Sequence, residues 1–263
     1  MRYLTPFFAG YCLCVTALLG LVLGSFCNCM AWRLAHGESV ARGRSHCAVC
    51  GHTLGATELI PLLSYLLQRG RCRHCGKKIS PRYPAVELLL AVALVLLVLR
   101  HDLTLTALRF GLFTCILLVL ALVDLDTGEL PDSLLLAGIA NFLLFLPWGE
   151  HPLTALLTGV LSGLSVSLPL LLLSLLMDRL LKKDSMGGGD IKLFFVVGLY
   201  FDWKVNLLTL IFACLLGILF PFVSRIRTGE GESAFPFGPA IAAAALVSML
   251  VGQPLIAWYL SLF

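Results

Sequence analysis

Two stretches of this chain place carboxylates where a mostly apolar sequence has little reason to keep them. The first, Val123-Asp124-Leu125-Asp126-Thr127-Gly128-Glu129-Leu130-Pro131-Asp132, ends one apolar run and opens the next, with four acids in nine positions and no base among them. Like charges packed so closely raise the pKa of some members and cost free energy, so a plain interfacial turn rarely holds them. The second is Met186-Gly187-Gly188-Gly189-Asp190-Ile191-Lys192, where three glycines lead into an acid. Glycine allows close backbone approach, which lets an extended peptide lie beside Asp190. The same turn also suits an anion site or a hinge, but not a P-loop, because the spacing and the Ser/Thr after the lysine are missing. Two facing carboxylates share one proton, so that one activates water while the other protonates the product. That is aspartic protease chemistry, for which no metal is required. The spans hold no Ser/His/Asp or Cys/His set for another protease class.

A third cluster is Cys47-Ala48-Val49-Cys50-Gly51 with Cys72-Arg73-His74-Cys75-Gly76. Two CxxC knuckles separated by 21 residues suit one tetrahedral zinc with four thiolate ligands, Cys47, Cys50, Cys72 and Cys75. Disulfides are the competing reading, but a cytoplasmic loop sits in a reducing compartment. With no open coordination position such a zinc is structural, stapling a loop that has little core of its own. His46, His52 and His74 are read as solvated loop residues. The remaining cysteines lie in apolar runs, where Cys behaves as a small hydrophobe.

The elements that must position these groups are membrane helices. Of 263 residues, 59% are hydrophobic and 13% charged, far from soluble composition. Breaks at charge and Pro/Gly clusters give eight spans, near residues 6–31, 84–99, 106–123, 133–147, 153–176, 191–201, 205–223 and 239–261. The fold expected is an all-α polytopic membrane protein with a small cytoplasmic four-cysteine loop. Residues 1–32 form the first span, 33–83 the zinc loop and 84–263 the transmembrane core. The first run is too long for a secretory signal and is read as a retained span. If the 33–83 loop is cytoplasmic, the cytoplasmic segments hold fourteen of the nineteen Lys and Arg residues, which sets both termini outside. The net charge of +4 is therefore a topology signal and not a mark of nucleic-acid binding. Ile191 to Phe201 is anomalous, since about 11 helical residues cover roughly 16 Å of a core near 30 Å thick. Either its helix starts below the membrane or the region borders a thinned, hydrated cavity. A seven-span alternative strands Asp202 and Lys204 at mid-bilayer, at about 3 kcal/mol each.

These residues resemble the type IV prepilin peptidase family, within the GxGD aspartyl membrane proteases. The resemblance rests on Gly24-Ser25-Phe26-Cys27-Asn28 with Arg33, the two knuckles, Ile60-Pro61-Leu62-Leu63-Ser64-Tyr65, Arg82-Tyr83-Pro84 with Glu87, the Asp124 segment, Gly187 to Lys192, and Pro236-Phe237-Gly238-Pro239. In the family the first catalytic aspartate stands seven residues before the proline that opens the next span, which selects Asp124 against Pro131. The second follows the GxG turn, which selects Asp190, leaving Asp126 and Asp132 as supporting or interfacial charges. Composition alone does not separate Asp124 from Asp126. The resemblance implies a prepilin or pseudopilin substrate whose short basic leader is cut at the cytoplasmic face of the bacterial inner membrane. It also implies methylation of the new amino terminus with S-adenosylmethionine, linked in the family to the first loop. No strand-linked glycine fingerprint marks a methyl-donor pocket, and its residues are not assigned.

Two other classes compete. A transporter would use Asp124 and Asp190 to bind or relay cations. The knuckle loop and the interfacial position of the acids speak against it. A non-enzymatic assembly factor would use the zinc loop to dock partners.

Overall fold

In the computed structural model the structure describes residues 5–40, 42–47, 49–182, 186–228 and 236–262. Among these, regular structure is helical: α1 (Pro6–Ala35), α2 (Leu63–Leu67), α3 (Arg82–His101), α4 (Leu105–Thr127), α5 (Asp132–Phe145), α6 (Pro152–Leu181), α7 (Gly188–Gly198), α8 (Trp203–Thr228) and α9 (Gly238–Leu260). Proline sets several starts, because its fixed φ suits a first turn whose N–H groups have no partner anyway. Pro6, Pro152 and Pro239 all stand at the first or second helical position. At α1 the Thr5 hydroxyl accepts from the Phe8 N–H at 3.4 Å. Pro169 lies inside α6, as membrane helices tolerate.

Five helices, α1, α3, α4, α6 and α9, are long and apolar enough to cross a membrane. Two further apolar stretches, Asp132–Trp148 and Trp203–Leu219, are shorter. Helix α6 shows what solvent these surfaces need: Leu157, Leu161, Leu168, Leu172, Leu175 and Leu176 are all exposed. So much outward leucine suits lipid and not water. The protein is a multi-pass membrane protein.

The chain forms two compact units, residues 1–122 and 123–263. In the first, α1 packs along α3. Gly20 and Gly24, one turn apart, bring the backbones together: a Cβ on Gly20 would stand 2.5 Å from the Ala91 Cα, and one on Gly24 2.7 Å from the Glu87 Cα. Small residues at such a spacing are the usual means of close helix approach in lipid. The loop between these helices carries the four cysteines.

In the second unit α7 is the centre. It packs against α5, α6, α8 and α9, and Leu193, Phe194 and Val197 are fully buried. Gly159 and Gly163 of α6 admit the Leu199 and Phe195 carbonyls of the α7 end. Polar side chains tie the bundle together. The Tyr200 hydroxyl donates to the Gly138 carbonyl at 2.6 Å, and Asn141 donates to Tyr200 at 2.9 Å. Asn206 donates to the Ser162 carbonyl and Thr209 to Ser248, at 2.8 and 2.7 Å. The short apolar segment at 191–201 thus has an explanation other than a thin bilayer, because a helix enclosed by four others need not span alone.

Candidate functional site

The two acids singled out by spacing lie in the same unit. Asp124 sits one turn before the end of α4, and Asp190 occupies the first turn of α7 after the Gly187 cap. Asp124 is 5% exposed while Asp126, two residues on, faces outward. A helix puts residues two apart on different faces, so only one of this pair can point into the bundle.

The Gly238 N–H, at the start of α9, donates to Asp124 Oδ2 at 2.9 Å. A Cβ at Gly238 would stand 2.5 Å from that oxygen, so no larger residue fits without moving the carboxylate. Asp124 and Asp190 are near enough to interact electrostatically. Leu130 lies against the starts of α7 and α9. A Cβ on Gly189 would meet the Leu130 Cβ at 3.0 Å, and one on Gly238 the Leu130 Cδ2 at 3.2 Å. Two helix starts therefore converge on one leucine. Outside this contact Lys192 donates to Asp132 Oδ1 at 2.8 Å, both side chains well exposed. This pair joins the turn after Asp124 to the helix of Asp190.

The cysteines form their own constellation in the first unit. The ligand atoms of Cys47, Cys50, Cys72 and Cys75 all lie within 4.8 Å of one another, and the Cys47 and Cys75 sulfurs are 4.0 Å apart. Tetrahedral zinc with Zn–S near 2.3 Å needs sulfurs about 3.8 Å apart, so the donor set fits. No disulfide joins them. Each knuckle is built alike. The Gly51 N–H donates to the Cys47 carbonyl and the Gly76 N–H to the Cys72 carbonyl, both at 2.9 Å, and both glycines have φ of 69°. That left-handed geometry is cheap only without a Cβ. The backbone N–H groups of Cys50 and then Val49 lower the Cys47 thiol to about 6, while Cys50 is pushed up to about 11. His52 and His74 stack on each other at 4.8 Å and remain outside the thiolate set.

A cavity of about 380 Å³ lies beside the knuckles, lined from α1, the loop and α3. Sequence reasoning missed it, along with the Gly238 donor and the Leu130 wedge. Gly238 was visible as part of the Pro236 to Pro239 motif, but nothing local says which side chain its N–H will meet.

Comparison with known proteins covers both units. The bacterial peptidase A24 N-terminal domain model matches residues 18–101, and the type IV leader peptidase family model matches residues 111–222. A prepilin leader peptidase/N-methyltransferase of Bacillus subtilis is 32% identical over 95% of this chain and 98% of its own length. One of Pseudomonas putida is 34% identical over 94% and 93% respectively. A type 4 prepilin-like proteins leader peptide-processing enzyme of Escherichia coli is 34% identical over 88% and 90%. No solved structure matches the chain. An identity above 30% sustained along nearly the whole length of such relatives makes this chain a member of the type IV leader peptidase family.

Proposed function

We propose that this protein cleaves the leader peptide of type IV prepilins or pseudopilins at the cytoplasmic membrane face, with Asp124 and Asp190 as the catalytic pair, and then N-methylates the new amino terminus. The observation that carries the peptidase half is a buried carboxylate, Asp124, held by the Gly238 N–H within electrostatic reach of Asp190. In a pair sharing one proton, the ionised member takes a proton from water as its oxygen attacks the scissile carbonyl. The protonated member gives its proton to the departing amide nitrogen. Gly238 fixes one oxygen of Asp124, so the geometry of attack is set before substrate arrives.

The methyl group comes from S-adenosylmethionine, whose sulfonium makes the methyl carbon electrophilic toward the new terminal amine. The relatives' names pair the two activities. Zinc held by Cys47, Cys50, Cys72 and Cys75 is structural, since four thiolates complete its shell. The remaining topology is the eight-span arrangement: a first span at 1–32, a cytoplasmic zinc loop at 33–83 and a core at 84–263, in the bacterial inner membrane. Its partners are lipid along the leucine-rich faces and the pilin substrate, with no nucleic acid. The rival transporter reading finds no support among the relatives.

Purified protein incubated with a prepilin and S-adenosylmethionine tests both halves at once. The product mass falls by the leader and rises by one methyl group. An uncut substrate, with the protein folded and zinc-loaded, would overturn the reading.

A further inference from the structure

We infer that residues 59–67, in the loop between α1 and α3, lie in the boundary between headgroups and acyl chains of the bilayer, as an interfacial anchor whose partner is an anionic lipid surface. The inference rests on the membrane crossing of α3 and not on the proposed chemistry.

The segment is Leu59-Ile60-Pro61-Leu62-Leu63-Ser64-Tyr65-Leu66-Leu67, and it is packed the wrong way round for water. Leu59, Ile60, Leu63, Leu66 and Leu67 are between 42 and 68% exposed. Leu63, Leu66 and Leu67 stand at i, i+3 and i+4 of α2, a spacing that puts them on one helical face. The polar residues turn inward instead: Ser64, Tyr65 and Gln68 line the cavity beside the knuckles. A short helix in water buries its leucines and shows its serine and glutamine. A contiguous outward apolar face marks a partner or a membrane.

Both ends of the segment are tied, so the face is held outward. At its start the Leu63 N–H donates to the Pro61 carbonyl at 2.6 Å, across Leu62 with φ of 60° and ψ of −50°. This is a γ-turn of the rare positive-φ kind, strained unless the surroundings hold it. Here the Leu62 N–H donates to Glu87 Oε2 of α3 at 2.7 Å. At the other end the Gly70 N–H donates to the Tyr65 carbonyl at 2.9 Å, and the Gly70 carbonyl accepts from the Ile79 N–H at 2.8 Å, just beyond the second knuckle.

The Glu87 tie also sets the depth. Glu87 stands little more than one turn into α3, roughly 7 Å along the axis, at the edge of a helix long and apolar enough to cross the membrane. The next two residues, Leu88 and Leu89, are half exposed on the lipid-facing surface of that helix. The leucines of α2 therefore stand where α3 enters the bilayer. Charge agrees with this occupant. Arg69, Arg71 and Arg73 follow α2 at once and are exposed, and cations beside an apolar interfacial face meet the phosphates of anionic headgroups. A pilin or a second copy of the chain would require neither the depth nor the arginines.

The test uses the full-length protein in nanodiscs of phosphatidylcholine mixed with phosphatidylglycerol. A photoreactive benzoylphenylalanine replaces Leu66 in one sample, Leu67 in a second and Glu38, beyond the end of α1, in a third. Each is irradiated with and without a pilin peptide, and adducts are identified by mass. Lipid adducts are expected at 66 and 67 and not at 38, with phosphatidylglycerol in excess of its share. The triple variant Arg69→Gln, Arg71→Gln, Arg73→Gln should keep the adducts and lose the excess. Melting temperature reports folding, and if the replacement at 66 or 67 unfolds the protein, the same replacement at Leu63 decides. Adducts to a second copy or to the pilin peptide in place of lipid would overturn the anchor, as would folded protein with no adduct at all. Lipid adducts without the phosphatidylglycerol excess would overturn its anionic preference. Neither cleavage nor methylation is read, so a failure here leaves the proposed function standing.

Discussion

Burial separates two acids that stand on one helical turn. Asp124 faces the bundle and Asp126 faces out, so their replacements should behave differently. Asp124→Asn keeps an oxygen for the Gly238 N–H but loses the titratable group, and cleavage should fall by about a thousandfold or more, as should that of Asp190→Asn. The double variant should be little worse than either single one, because the two act as a unit. Asp126→Asn should retain substantial activity. Rates of prepilin cleavage by folded variants check all four. A dead Asp126→Asn beside an active Asp124→Asn would show that the wrong acid had been chosen. Cleavage should also follow a bell-shaped pH profile whose limbs belong to the pair and not to either residue. Gly238→Ala is a more delicate probe. Its Cβ would stand 2.5 Å from Asp124 Oδ2, pushing the carboxylate aside, and an ångström of misplacement costs about a hundredfold in rate. The expected signature is a fall in kcat with melting temperature nearly kept. A wild-type kcat would mean that the hydrogen bond positions nothing.

At the scale of elements, Leu130 joins the start of α7, which holds Asp190, to the start of α9, whose Gly238 N–H holds Asp124. Gly189→Ala should clash with Leu130, whose Cβ would lie 3.0 Å from the new methyl. Shortening that leucine should relieve it. The double variant Gly189→Ala with Leu130→Ala should then be more active than the two single losses added together, a coupling that a double-mutant cycle measures. Strict additivity would place Leu130 outside the site. Helices were legible because hydropathy is a local property: the expected run at 84–99 is α3, Arg82–His101, and that at 239–261 is α9, Gly238–Leu260. The knuckles were legible too, since ligand spacing is written along the chain. Gly238 and Leu130 were not, because their meaning lies in partners far away in sequence. The brevity of α7 was visible, but its cause was not. It reads as a problem of bilayer thickness until α5, α6, α8 and α9 are seen around it.

Across the whole molecule the proposed reading divides the two chemistries between the two family domains. The four thiolates lie within residues 18–101 and both aspartates within 111–222. Stripping zinc, or replacing Cys72 by serine, should therefore loosen the loop and lower methylation more than cleavage. Metal analysis should find one zinc per chain in the wild type, and both product masses should be followed as metal is removed. Zinc-free wild-type protein with reduced thiols would remove the metal from the account. Loss of cleavage alone on metal removal would place the metal's influence at the aspartates instead.

The hydrogen bond from Gly238 to Asp124 joins residues 114 positions apart, and this separation has a consequence for biosynthesis. The chain emerges from the ribosome at about 5–20 residues per second, so α4 waits several seconds for α9. During that interval the nascent protein carries Asp124 without the amide that orients it. On the proposed catalytic reading it passes through the membrane-insertion machinery as a zymogen in time, made competent by the arrival of α9 and not by a proteolytic cut. On that reading cutting is held back until α9 has been made.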